Sequence, residues 1–487
     1  MCSSDLSIDP YPMKSPLTLS RRQALSRVAC GFGFVALAGM AAQAAARAGG
    51  NPLVARPGHH RPRAKRVIFL FMGGGVSHLD SFDYKPALYA NDGRMLEFLD
   101  QRAIAKTGAG ATGRVMKPMW EFRQRGQSGR WVSELFPHIA RHADNYCVVR
   151  SMHTEGVAHG PATLFLHTGT TNQIRPSMGA WVTYGLGSES ENLPAFVSLS
   201  PTLANGGPRN YGNGFLPAVF QGTAIGRAGQ KAAEAALRNV RHPDLSAAAQ
   251  LRQFELVRAL NGEQLAARPG DRELEALASS YELAWRLQNH APDVLDVSRE
   301  SDATRALYGI GEEPTDDYGR QCLMARRLAE AGVRYIQVNY SDNTNNPAWD
   351  QHSNLPKHKD HAVRVDKPVA GLLTDLKARG LLDDTIVWWG SEFGRTPYAE
   401  RNGTGRDHNP TGFSVLLAGG GFKPGFAYGE TDEFGHFAVE NKVHMHDLHA
   451  TILHQLGLDH ERLTFRHDGR DYRLTDVHGR VVRDILA

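Results

Sequence analysis

The chain has 487 residues, 55 of them basic and 51 acidic, for a formal net charge of +4 with 41% hydrophobic residues. That balance excludes a disordered polyelectrolyte and suits a globular body with a large core. Residues 1–66 hold ten lysines and arginines against two aspartates, a net of +8, which leaves −4 for the rest. A nucleic-acid footprint needs basic residues clustered on the folded body; none is seen there, so nucleic acid is not an expected partner.

Ser20-Arg21-Arg22-Gln23-Ala24-Leu25 leads into a weakly apolar run over 28–42 and the small-residue tract Ala42-Gln43-Ala44-Ala45-Ala46. Paired arginines, a mild hydrophobic region and an A-x-A site predict a twin-arginine signal peptide over 1–46, followed by a basic linker over 47–65. The run is too short and too rich in Gly and Ala for a membrane span. The expectation is export to the periplasm or beyond, with no stable membrane insertion after cleavage. An uncleaved anchor is the alternative, and Met13 is a second possible start. Cys2 and Cys30 lie in this presequence. Of the other two, Cys147 sits in an apolar run and Cys322 in a predicted helix, which favours buried free thiols over a disulfide.

Length alone would allow about three domains at ~150 residues each, yet the motifs from residue 66 onward argue for one elaborated domain. It opens on an apolar strand over 66–72, followed by Gly73-Gly74-Gly75-Val76-Ser77-His78-Leu79-Asp80. The spacing departs from the G-x-G-x-x-G dinucleotide fingerprint. The glycines instead suggest close backbone approach to a metal or anion. In an extended chain His78 and Asp80 share one side and make a reasonable ligand pair.

Further strands are predicted over 146–150 and 193–199, with a helix over 162–167 between them, after His159-Gly160-Pro161. The stretch 226–320 reads as an inserted helical segment broken at Pro269-Gly270. Alternation then resumes: helix 318–331, strand 334–339, Trp349-Asp350-Gln351-His352, helix 363–379, strand 385–389. Such alternation implies parallel pairing with helices on the sheet faces. His358 and His361 read as a solvated helix face. Past the strand at 385–389 come Ser391-Glu392-Phe393-Gly394-Arg395-Thr396-Pro397 and Gly405-Arg406-Asp407-His408-Asn409-Pro410, before a further apolar run at 413–417. Carboxylate, guanidinium and imidazole thus cluster past the carboxyl end of a strand, where open α/β sheets place ligands. His444, His446 and His449 fall beside a helix capped near Asp447 and ended by Gly457, and read as structural.

The series Gly-Gly-Gly-Val-Ser-His-Leu-Asp, Trp-Asp-Gln-His, Ser-Glu-Phe-Gly-Arg-Thr-Pro and Gly-Arg-Asp-His-Asn-Pro resembles a family of twin-arginine-exported bacterial proteins catalogued as a domain of unknown function (DUF1501). That family looks like a branch of the alkaline phosphatase and sulfatase superfamily. The resemblance runs from Arg66 to Ala487. It implies an α/β three-layer sandwich with a mostly parallel central sheet, and divalent metal, one or two ions of zinc, manganese or a similar element.

By the same resemblance, Ser391-Glu392-Phe393-Gly394 stands where sulfatases carry Ser-Asp-His-Gly, giving Glu392 a metal-ligand role. His408 looks like a late metal-binding histidine, and Asp350 and His352 like the middle pair. Gly74 replaces the first aspartate of phosphatases, so His78 or Asp80 would substitute for it. Formylglycine sulfatases need Cys-x-Pro-x-Arg, which neither Cys147 nor Cys322 begins. Counting back nine from Thr168-Gly169 puts His159 at the nucleophile position, with Thr163 in place of the arginine as a substrate contact. His159 is then either a nucleophile or a base or ligand for metal-activated water, the second being favoured.

The leading expectation is an exported metallohydrolase of phosphate or sulfate esters, small or on a glycan, with Arg395 and Arg406 holding the anion. The alternative is a non-catalytic exported protein that binds metal, an anion or a glycan on the same fold.

Overall fold

The computed structural model describes residues 52–98, 111–235, 245–344, 346–400 and 404–487. The expected signal peptide lies outside them. Strand β1 (Arg66–Met72) is buried along its whole length and sits mid-sheet, as an unbroken apolar run requires. The other strands of its sheet are β2 (Tyr146–His153), β3 (Phe196–Leu199), β4 (Thr223–Ile225), β5 (Tyr335–Tyr340), β6 (Thr385–Gly390), β7 (Phe413–Ala418), β8 (Ala427–Tyr428) and β9 (Val443–His444). The order is β8-β2-β7-β6-β1-β5-β3-β4, with β9 also pairing β2. All pairings are parallel except those of β7 with its two neighbours.

Alternation along β1 divides the core in two. Ile68, Leu70 and Met72 pack with Leu323 of α5 (Asp316–Glu330) and Leu372 of α6 (Lys357–Ala378). Val67, Phe69 and Phe71 join Phe165 of α1 (His159–Thr168), Trp181 of α2 (Met178–Leu186) and Ile452 of α7 (Met445–Gln455). The mixed α/β fold is therefore a sandwich of helix, sheet and helix. Cys147 and Cys322 are free thiols buried on opposite faces, and burial pushes the Cys147 thiol up to about 12.

Two long helices, α3 (Ala247–Ala267) and α4 (Arg272–Leu295), lie in the stretch expected to be helical, on either side of Pro269-Gly270. Ser246 and Asp271 cap them by accepting from Ala249 N and Leu274 N. Phe254 and Trp285 stack between them at 4.9 Å. No helix among the described residues is long and apolar enough to cross a membrane.

Candidate metal centre

The site lies beyond the carboxyl ends of β1, β2, β5 and β6, where parallel strands release their loops in one direction. After β1 the chain turns at Gly74 (φ 117°), where a Cβ would lie 2.6 Å from Asp350 N and 2.7 Å from Trp349 N. Only glycine allows this backbone so close to another loop. The glycine run thus serves loop packing, where the sequence suggested approach to a metal or anion.

Four donors meet. Asp350 Oδ1 is 3.0 Å from His352 Nε2, 3.1 Å from His159 Nε2 and 3.4 Å from His408 Nε2. His352 Nε2 and His408 Nε2 are 2.9 Å apart. His159 opens α1, His352 follows Asp350 in the loop after β5, and His408 lies on the short strand Arg406–Asn409.

Each imidazole is held from behind. His159 Nδ1 lies 2.7 Å from Glu392 Oε1, and His408 Nδ1 lies 2.8 Å from Val157 O. His352 Nδ1 faces Glu400 Oε1 at 3.1 Å and Asp407 Oδ1 at 3.5 Å. Acceptors behind Nδ1 place the proton there and turn the Nε2 lone pairs inward, as in histidines that bind metal.

The geometry fits a divalent cation. Tetrahedral donors around zinc at ~2.0–2.1 Å stand about 3.3 Å apart, and the three pairs among Asp350 Oδ1, His352 Nε2 and His408 Nε2 stand 2.9–3.4 Å apart. Two imidazole lone pairs 2.9 Å apart repel unless a proton or cation lies between them. His159 Nε2 is buried without a hydrogen-bond partner, off-axis from Asp350 Oδ1 despite their closeness. The nitrogen and carboxylate set suits zinc, manganese or similar ions.

Electrostatics agree with a site built around Asp350. Burial opposes ionisation of its carboxyl, but His159, His352, His408 and Arg395 hold it well below the usual carboxylate range. Burial likewise opposes protonation of His159 and His352, yet the carboxylates of Asp350 and Glu392 for the first, and of Asp350 for the second, raise both. His408 goes the other way, lowered by burial to about 4.

Other expected site residues lie elsewhere. Residues 78–80 form a 3-10 turn, so His78 and Asp80 do not share the extended geometry assumed for them. His78 Nε2 meets Gly435 O at 2.8 Å. Asp80 accepts from Arg406 Nε at 2.8 Å and Met119 N at 2.9 Å. Glu392 stands behind His159, outside the four donors.

Both arginines expected to grip the anion are fully buried. Arg395 donates to Gly74 O, Gly75 O, Trp349 O, Arg406 O and Asp350, tying three loops together. Arg406 donates to Asp80, Thr396 O, Met116 O and Lys117 O. Thr163 is buried one turn beyond His159, outside the donor group. His358, expected in solvent, is buried and accepts from Ser77 N at 3.2 Å, while His361 pairs with Tyr340 Oη at 2.9 Å. His444 caps α7 with Asp447 in a capping box, in keeping with the structural reading.

Three supporting groups escaped the sequence reading. Asp407 adjoins His408 in a motif already singled out, so adjacency was its only signal. Glu400 and the carbonyl of Val157 carry none.

No curated protein matches the chain. Among solved structures, the PsFucS1 sulfatase from a Pseudoalteromonas species is similar at 14% identity and TM-score 0.35, over 82% of this chain and 69% of that one. A protein of the alkaline phosphatase superfamily from Vibrio parahaemolyticus is similar at 8% identity and TM-score 0.35, over 84% and 70%. The alkaline phosphatase of the Antarctic bacterium TAB5 is similar at 11% identity and TM-score 0.26, over 77% and 96%. The sequence model described as protein of unknown function (DUF1501) matches residues 64–486, so the chain belongs to that family.

Proposed function

We propose that this protein is an exported, metal-dependent hydrolase of phosphate or sulfate esters, acting on a small or glycan-borne anionic ester. The observation that carries the reading is the convergence of three imidazole Nε2 atoms on Asp350 Oδ1, each ring held from behind at Nδ1. Asp350, His352 and His408 would hold the ion, leaving His159 Nε2, 3.1 Å from Asp350 Oδ1, free to act as a base beside it. The bound ion would polarise the ester oxygen and make a nearby water more acidic.

His159 Nε2 takes the proton of the attacking water as its oxygen bonds to phosphorus or sulfur and the ester P–O or S–O bond breaks. The same nitrogen returns that proton to the departing alcohol. The amino end of α1, where His159 sits, adds a field favourable to an anion.

A second reading, a non-catalytic exported protein binding metal, an anion or a glycan, is favoured by the burial of both arginines, which leaves neither to grip an ester. Metal analysis of the purified protein, with an aryl phosphate and aryl sulfate screen, separates the two. The hydrolase reading expects bound metal and turnover of at least one ester, both lost in an Asp350→Ala, His408→Ala double variant. Full metal content in that variant rules out the site; metal without turnover selects the second reading. In the same cells, replacing Arg21 and Arg22 by lysine should keep the precursor in the cytoplasm, and unchanged export would refute the signal.

A further inference from the structure

Glu392 occupies the place where the resemblance expects a metal ligand, but its surroundings suit a different task. Its side chain is fully buried. Oε1 accepts from Gly74 N at 3.0 Å and lies 2.7 Å from His159 Nδ1. Oε2 accepts from Gly74 N at 3.1 Å and faces Ser391 Oγ at 2.9 Å. Both oxygens are thus engaged at the turn between β1 and the end of β6, and neither joins the four donors that meet at Asp350. His159 itself is packed between Phe393 and His408, with ring centroids 5.1 and 4.4 Å away.

We propose that Glu392 is a positioning residue for His159 and not a metal ligand. The proposal rests on the hydrolase reading above. The carboxylate accepts the Nδ1–H of His159, which fixes one tautomer and one ring orientation and leaves the Nε2 lone pair unprotonated on the side of Asp350 Oδ1, 3.1 Å away. The buried turn supplies the rigidity: Gly74 N–H grips both oxygens, and the turn carrying it packs on the Asp350 backbone, so one set of contacts holds base and ligand together. Carboxylates behind working histidines typically contribute 10–100-fold.

The test is a Glu392→Gln variant, whose amide oxygen still accepts from Nδ1, beside Glu392→Leu, which removes the acceptor. Metal per chain should equal that of the parent in both. The leucine variant should lose about 10–100-fold in kcat with KM changed less than about twofold, and the glutamine variant should recover part of that loss. In protein labelled with ¹⁵N-histidine, the His159 ring should show the Nδ1–H tautomer in the parent and lose it in the leucine variant. If leucine prevents folding, the glutamine variant and the parent tautomer still decide.

Metal loss in Glu392→Gln as complete as in Asp350→Ala would make Glu392 a ligand and overturn the proposal. So would an unchanged tautomer and kcat in Glu392→Leu. If the parent turns over no ester, the hydrolase reading fails by itself, and the tautomer and metal content still judge the role of Glu392.

Discussion

Asp350 Oδ1 serves three imidazoles and the Arg395 guanidinium at once. Which residue types would gather was legible, because Asp350, His352 and His408 sit in short polar knots just past strands. Which way each side chain turns was not. Arg395 and Arg406 look alike in sequence to anion-binding arginines, and only the surrounding carbonyls show that they brace the loops. Counting back from Thr168-Gly169 points to His159, and the structure brings it to Asp350. Acting as the base, it should be dispensable for the metal: His159→Ala keeps the metal content of the parent, keeps the fold by circular dichroism, and loses about 10²–10⁴-fold in turnover. Metal loss matching that of Asp350→Ala would make it a ligand, and undiminished turnover would remove it from the chemistry.

Elements followed from periodicity where an apolar pattern spanned them. The strand expected over 66–72 is β1, and that expected over 385–389 gains one residue as β6. The helix expected over 363–379 begins earlier, at Lys357, because a charged first turn hides its buried stripe of His358, Ala362, Val365 and Val369. Further along α6, Asp366 accepts from the backbone N–H groups of His138 and Ile139, both at 2.7 Å, and so anchors the 3-10 turn Ile139–His142 to the helix. Burial outweighs those two bonds and raises its pKa to about 7. A folded-state value above the unfolded one means that the group's contribution is fully present below pH ~4 and is lost as pH rises through about 7. Urea unfolding between pH 4 and 8 should show that decline, up to about 4 kcal/mol. Asp366→Asn should flatten it while lowering stability at acid pH by about 1–3 kcal/mol, through one impaired acceptor. A variant with the parent's slope would show that Asp366 stays ionised throughout.

At the scale of the whole molecule, helix–strand alternation foretold parallel pairing but not the reversal at β7. A parallel neighbour needs a crossover of a dozen or more residues, usually helical. Between β6 and β7 the chain instead forms the antiparallel pair Gly394–Ala399 and Arg406–Asn409, so β7 returns antiparallel and His408 is carried back over the loop from β5. Gly405 permits this return, since a Cβ there would overlap the Gln351 and His352 backbone. The donors therefore come from segments that only the folded sheet unites, and the unfolded chain has no such site. An ion that binds the folded state alone stabilises it by about 2.7 kcal/mol at a hundredfold excess over Kd. At roughly 1 °C per kcal/mol for a body of this size, stripping the metal should lower Tm by about 3 °C, and restoring it should reverse the change. Because the ligands must be deprotonated, the difference should shrink at acid pH. Asp350→Ala should melt at one temperature with or without chelator. Equal Tm for metal-free and metal-loaded parent, at a metal content verified in each, would mean that Asp350, His352 and His408 do not hold the ion.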